Sequence, residues 1–240
     1  MIILTTLYNC EPYIEKCISS LMSQSFRDFT CYITDDISTD KSVELVQKLI
    51  ENDKRFVLIE NKEKLFQPGN YDQIIRGEYG IAANEICVEV DGDDWLPDAN
   101  VLKRVHDLYK NPLVWLANGS FVYQNGKPGF AQRPKFFKQI RKQNFALTHL
   151  RTWRAFLWRS IHVEDLKDSM GKYYEVAGDL AFMFPMYEMA GPLHYRFMDK
   201  INYVYNEGNP INDHKVNMSK VNETIKEIRN KKPYKMKWVR

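Results

Sequence analysis

The sequence predicts an α/β fold: one domain with a mainly parallel central sheet flanked by helices. Three observations carry that prediction. Short β-favouring runs alternate with amphipathic helical stretches through the first 110 residues, the rhythm of βαβ units. At 240 residues the chain suits a single large core, and no linker interrupts it. Several strand-like runs also end in polar clusters, as they do where a parallel sheet presents its carboxyl-terminal rim to a ligand.

The elements follow in order. Ile2 to Leu7 is a short apolar strand ending at Tyr8-Asn9. Glu11-Pro12 opens a helix, since proline is tolerated in a first turn and an acid suits the positive end of the dipole. Ile14, Cys17, Ile18, Leu21 and Met22 then recur at helical spacing. Phe29 to Thr34 is a strand running into Asp35-Asp36, and Ser38-Thr39-Asp40 supplies turn and cap chemistry. A helix over 43–50, a strand over 56–59, a helix from Asn70 to Ala83 and a strand from Ile86 to Val90 follow. That last strand ends in Asp91-Gly92-Asp93-Asp94, and a helix runs from Leu96 to Tyr109 with Pro97 in its first turn.

The second half is less regular. Val114 to Tyr123 reads as a strand, residues 126–145 as a basic and aromatic loop with a short helix, and Thr152 to Ser160 as a helix. Val176 to Ala190 is a second helix that Pro185 should kink, Ile201 to Tyr205 a late strand, and Met218, Val221, Ile225 and Ile228 the apolar stripe of a last helix. The expected division is a domain over 1–225, in two halves at 1–110 and 111–225, followed by a basic tail over 226–240.

The formal charge of +3 conceals an asymmetry. Residues 226–240 hold seven basic side chains against Glu227, a net of +6, which leaves −3 for the other 225 residues. A mildly acidic body excludes a broad nucleic-acid-binding face, so no nucleic-acid partner is expected. Tyr234 and Trp238 among the lysines suggest peripheral membrane contact, with a solvated terminus as the plain alternative. The start, Met1 to Leu4, is too short for a signal-peptide core, and no window reaches membrane-span length. Four cysteines without a CxxC pair read as reduced thiols, so a cytoplasmic setting is expected.

The three polar clusters, Thr6/Tyr8/Asn9, Asp35/Asp36 and Asp91/Asp93/Asp94, should converge on one rim. Three carboxylates within four residues repel one another, and hard oxygen ligands suit Mg²⁺ or Mn²⁺ held together with substrate phosphates. A helix cap at Asp91 beside solvated turn acids fits the spacing equally. The chain has no GxxxxGK[ST] loop and no GxGxxG after the first strand, which disfavours P-loop and nicotinamide dinucleotide sites.

Four stretches in order resemble the family 2 glycosyltransferases of GT-A fold: Tyr8-Asn9-Cys10-Glu11-Pro12-Tyr13-Ile14, Ser23 to Phe29, Asp35-Asp36-Ile37-Ser38-Thr39-Asp40, and Asp91-Gly92-Asp93-Asp94-Trp95-Leu96. Gly178-Asp179-Leu180 is similar to the helix that carries the catalytic base there. The resemblance implies metal-dependent, inverting transfer of a sugar from a nucleotide-diphosphate donor, by family default a UDP-sugar, to a saccharide or other hydroxyl acceptor. It implies that residues 1–110 are a nucleotide-binding half and 111–225 an acceptor-side half, that Thr6 and Tyr8 line the base pocket, that Asp36 hydrogen-bonds the base, and that Asp91 lies near the ribose and metal. Asp93 is then the main metal ligand with Asp94 beside it, and Asp179 the general base. Ile37 stands where the family motif has glycine, so the turn after Asp36 departs from the pattern.

Further candidates come from the residues themselves. His149, Arg151 and Arg154 form a dense polar group. Arg151 or Arg154 suits a bidentate clamp on the diphosphate, with helix-surface ion pairs as the alternative. His214 is a candidate nitrogen ligand to the metal, with a solvated histidine as the alternative. Competing functions are a sugar-nucleotidyltransferase, although Tyr8 to Tyr13 lacks the Gly-rich basic loop such enzymes bring, and an inactive nucleotide-sugar-binding module.

Overall fold

The computed structural model describes residues 1–135, 137–212, 215 and 218–237, with only the backbone of Lys138. Among the described residues a seven-stranded sheet runs in the order β3-β2-β1-β4-β6-β5-β7. Its strands are β1 (Ile2–Leu7), β2 (Thr30–Asp35), β3 (Phe56–Glu60), β4 (Ile86–Glu89), β5 (Leu116–Tyr123), β6 (Thr152–Arg154) and β7 (Tyr195–Tyr205). β1 pairs in parallel with both β2 and β4, and β2 with β3. β6 runs antiparallel between β4 and β5, and β5 is parallel to β7.

The chain leaves β1 toward β2 on one side and reaches β4 on the other. A crevice therefore opens beyond the carboxyl ends of β1 and β4. Tyr8, Asp36 and Asp91 all sit just past strand ends on that rim, as the polar clusters led us to expect.

Alternation along β1 sends Ile3 to one face and Ile2 and Leu4 to the other, and each face has its own core. On the first, α1 (Ile14–Met22), α2 (Ser42–Ile50) and α4 (Val101–Tyr109) bury Cys17, Ile18, Val46 and Val105 against Cys31, Ile33 and Val88. On the second, α3 (Phe66–Arg76), α5 (Ala155–Arg159) and α6 (Gly178–His194) pack Tyr71, Trp158 and Phe182 around Trp153 of β6. All four cysteines are free and buried. Among the described residues no helix is long and apolar enough to cross a membrane.

Several boundaries differ from the sequence reading. α3 starts at Phe66 rather than Asn70, because the Asp36 carboxylate accepts the Leu65 and Phe66 backbone N–H groups at 2.8 and 3.0 Å and so caps the helix. α4 starts at Val101, because Asp98 accepts from Asn100 N and from Arg104 and holds the preceding residues in a turn. Thr152–Arg154 is strand, not helix; three residues are too few to show a period. In α6 the non-helical backbone lies at Gly191, with φ +58°, rather than at Pro185. That helix is apolar all round and is buried along most of its length.

The last helix, α7 (Met218–Asn230), passes through the 225/226 boundary expected from charge. The segment after it folds back on the body. Tyr234 N–H donates to Glu188, its hydroxyl to Asp165, and Lys237 N–H to the Met189 carbonyl. Lys231 donates to the carbonyls of Glu164 and Lys167. Trp238 lies outside the described residues.

Ile37 adopts φ +65° while 37% exposed, so this turn keeps the left-handed conformation of a glycine with a β-branched residue. Such a residue is strained there by roughly 1–2 kcal/mol, whereas asparagine tolerates the region. Ile37→Asn should therefore stabilise the chain by about 1 kcal/mol, a rise in Tm of roughly 2–4 °C by differential scanning calorimetry.

Candidate active site

A cavity of 580 Å³ occupies the crevice. Thr6, Tyr8, Asp36, Asp91, Asp93, Arg151 and Asp179, seven of the ten residues given a site role from sequence, line it. The β1 rim supplies Thr6 and Tyr8, the β2 rim Asp36, and the β4 rim Asp91 and Asp93. Asp179 comes from the first turn of α6. There Gly178 lies so close to Pro68 that a Cβ would stand 2.6 Å from its ring, so a missing side chain lets α6 approach α3.

Three sequence expectations fare differently. Asp94 is fully buried and turned away from the cavity, its Oδ1 accepting the Asn206 backbone N–H at 2.7 Å. It therefore ties the β4 rim to the end of β7 instead of joining Asp93 at the opening. Arg154 does not reach the cavity either. Its guanidinium donates to the carbonyls of Val114, Asn84 and Tyr109, where β6 meets β5, and so satisfies backbone acceptors rather than clamping a ligand. His214 lies outside the described residues.

Asp36 lines the cavity with its carboxylate already engaged by the start of α3 and by Asn61 Nδ2 at 3.0 Å. The Tyr8 ring carries the Lys64 ammonium 2.9 Å from its centroid, a cation–π contact on one face. Asp93 accepts from Asn209 Nδ2 at 2.8 Å, and Asp91 from Gln67 Nε2 at 3.1 Å.

Behind this rim lies an acid that sequence reasoning missed. Glu89, fully buried in β4, pairs with Arg151 at 2.5 Å and accepts from Gln67 Nε2 at 3.0 Å. Arg151 also pairs with Asp179 at 2.5 Å and donates to the Leu147 carbonyl. An acid inside the otherwise apolar run Ile86-Cys87-Val88-Glu89-Val90 was the available signal, because such a residue is rarely buried unpaired. Lys64, Gln67 and Asn209 had no comparable signal. His149 stacks on Tyr203 with ring centroids 4.4 Å apart and also lines the cavity.

Burial dominates the electrostatics. It pushes Glu89 up to about 8 although Arg151 pulls it down, and it pushes Asp91 up to about 7 with help from Asp93. Burial works against the Arg151 charge, yet Glu89, Asp179 and Asp91 together hold it above its ordinary value. His149 is driven well below its usual value, first by burial and then by Arg151, and is a neutral imidazole.

Ligand atoms of Glu89, Asp91 and His149 lie within 4.8 Å of one another. Glu89 Oε2, His149 Nδ1 and Thr6 Oγ1 are buried with no hydrogen-bond partner. Crowded carboxylates, orphaned donor atoms and a neutral imidazole are consistent with a divalent cation of the Mg²⁺ or Mn²⁺ type.

A three-layered α/β fold with an acid-lined crevice at the β1/β4 switch point defines an enzyme of GT-A fold. The chain belongs to Glycosyl transferase family 2, whose sequence profile matches residues 2–165. An uncharacterized glycosyltransferase of Haemophilus influenzae is 28% identical over 123 residues, 50% of this chain and 46% of that protein. The uncharacterized glycosyltransferase EpsJ of Bacillus subtilis is 21% identical over 85% of this chain and 60% of its own length. Staphylococcus aureus TarS 1–349 in complex with UDP-GlcNAc superposes with a TM-score of 0.66 at 18% identity, over 87% of this chain and 58% of that one. The mannosyltransferase PcManGT of Pyrobaculum calidifontis, in complex with GDP-Man and Mn²⁺, gives 0.59 at 18% identity, over 97% and 65%. The chain thus spans less than two thirds of each of these relatives.

Arg151→Met should leave Glu89 and Asp179 unpaired, at a cost of about 3–5 kcal/mol for a broken buried pair. Thermal unfolding should show a fall in Tm of roughly 10 °C. Glu89 and Asp91 are raised above unfolded carboxylate values, so without a cation the folded state loses stability as pH rises from about 4 to about 8. A divalent cation held there would compete with those protons, so thermal stabilisation of the protein by Mn²⁺ should be larger at pH 8 than at pH 6. A shift independent of pH would refute this.

Proposed function

We propose that the chain transfers a sugar from a nucleoside-diphosphate donor to an acceptor hydroxyl with inversion at the anomeric carbon. The observation that carries this reading is the division of acids around one cavity: Asp91 and Asp93 on the β4 rim, and Asp179 apart from them on α6. A group that holds a cation and a group that takes a proton need such separation. UDP-GlcNAc bound to TarS and GDP-Man with Mn²⁺ bound to PcManGT support the donor class and make a UDP-sugar the first to try.

In this reading Thr6 and the Tyr8 ring hold the nucleotide base. Asp36 fixes the start of α3 and offers the base whatever acceptor capacity its three bonds leave. Asp91 and Asp93 would hold the divalent cation, with His149 and Glu89 close by. That cation supplies charge stabilisation to the departing diphosphate. The acceptor hydroxyl attacks the anomeric carbon from the face opposite the diphosphate. Asp179 takes the hydroxyl proton as the new C–O bond forms, and the old C–O electron pair leaves with the diphosphate. Arg151 and Glu89 position Asp179 from behind. A cytoplasmic setting is part of the proposal, resting on the four free thiols.

A panel of nucleotide sugars with Mn²⁺, scored by thermal shift and by turnover, tests the reading. Asp179→Asn should keep donor binding and lower transfer about 10²–10⁴-fold, and Asp93→Ala should abolish metal-dependent turnover. Full transfer by Asp179→Asn would remove it as the base, and pyrophosphate release from a nucleoside triphosphate would point to nucleotidyl transfer instead.

A further inference from the structure

A second cavity, of 410 Å³, lies beside the first and shares His149, Arg151, Asp179 and Tyr205 with it. Its remaining lining is mostly aromatic: Phe121, Tyr123, Phe130 and Phe145. Phe121 is the hub, meeting Tyr123 and Phe130 edge-on at 5.3 and 5.5 Å. The loop after β5 is pinned over that hub by Gly129, whose N–H donates to the Phe121 carbonyl and whose Cα rests so near the ring that a Cβ would stand 2.3 Å from it. Phe130 is thereby held at the cavity while 54% exposed, an aromatic ring kept partly in water.

The charged part of the lining has an excess of acid, two carboxylates against one guanidinium. Asp179 and Glu207 bring carboxylates and Thr148 a hydroxyl. Arg151, the one cation among the described lining residues, is already shared between Glu89 and Asp179. A ligand suited to this surface has apolar ring faces to lay on aromatic side chains and hydroxyl donors for the carboxylates, and it carries no negative charge. A hexopyranose ring has these properties. A uronate would bring a carboxylate toward Glu207 and Asp179, and an alkyl chain would strip water from both without replacing their hydrogen bonds.

We propose that this cavity is the acceptor subsite and that it takes a neutral terminal sugar ring, discriminating against anionic saccharides. The inference rests on the proposed glycosyl transfer, which makes Asp179, one of the four residues the two cavities share, the group that takes the acceptor proton.

The test pairs binding with turnover. Saturation-transfer NMR on the whole chain, with methyl hexopyranosides and the matching methyl hexopyranosiduronates, needs no catalysis. Saturation of the neutral glycosides and not of the uronates is expected. In transfer assays with the donor identified by the panel, the neutral acceptor should be favoured at least about tenfold in kcat/KM. Phe130→Ala should raise acceptor KM about fivefold, more than it changes donor KM. Glu207→Gln should narrow the neutral-to-uronate ratio about threefold. Equal or better binding and transfer of the uronate, or an acceptor KM indifferent to Phe130→Ala, would overturn the inference. Glycoside binding without turnover of any nucleotide sugar would instead sink glycosyl transfer, so the two failures are distinguishable.

Discussion

The buried array Glu89–Arg151–Asp179 is the interaction on which the rest of the site depends. Arg151 stands just before β6, Glu89 lies in β4 and Asp179 opens α6, so one guanidinium joins the sheet to the helix that walls the cavity. Removing a guanidinium and two carboxyl groups from water is costly, as the upward push on Glu89 shows. Hydrophobic replacements of similar shape often stabilise a fold by comparison, so stability alone is a weak reason for such an array. What it does provide is position: a planar donor with two fixed carboxylate partners leaves little freedom to the Asp179 side chain. On the proposed mechanism, that fixed direction is what a proton acceptor needs.

The fold was legible because its signals are local. Apolar runs with polar ends identify β1, β2 and β4, and their convergence follows from parallel topology rather than from any single residue. Thr6, Tyr8, Asp36, Asp91 and Asp93 reached the cavity for that reason. Asp94 and Arg154 did not, because proximity along a chain does not say which way a side chain turns. Asp94 follows a turn that aims it at Asn206, 112 residues away, and Arg154 lies in a strand too short to have been seen as one. Glu89 was overlooked for the converse reason: an acid in a strand interior breaks the pattern used to find the strand, and its partner is 62 residues distant.

The charge asymmetry at the carboxyl end shows the same limit. Seven basic residues in the last fifteen suggest a free tail. The periodic apolar positions of α7 continue to Ile228, which is buried, and Arg141 donates to the Ile228 and Lys231 carbonyls while pairing with Glu188. Net charge therefore described composition correctly and said little about docking, because a lysine-rich segment still buries its stems and satisfies its backbone where an apolar stripe leads it onto the body.

The two halves of the chain also differ in how strongly chemistry constrains them. Nucleotide, diphosphate and cation ask for groups of fixed type at the ends of adjacent parallel strands, so the first 110 residues carry ordered motifs that can be read without a structure. An acceptor asks only for a shaped surface beside the proton acceptor. Rings from β5, its following loop and β7 can supply that surface in many arrangements, and short motifs do not form. On the proposed function, the irregular second half is then where acceptor choice resides. The pairing of Asp179 with Arg151 is the hinge between the halves: Arg151 reaches Glu89 on the donor side and Asp179 where the cavities meet, so a substitution that moves the guanidinium should disturb both substrates at once.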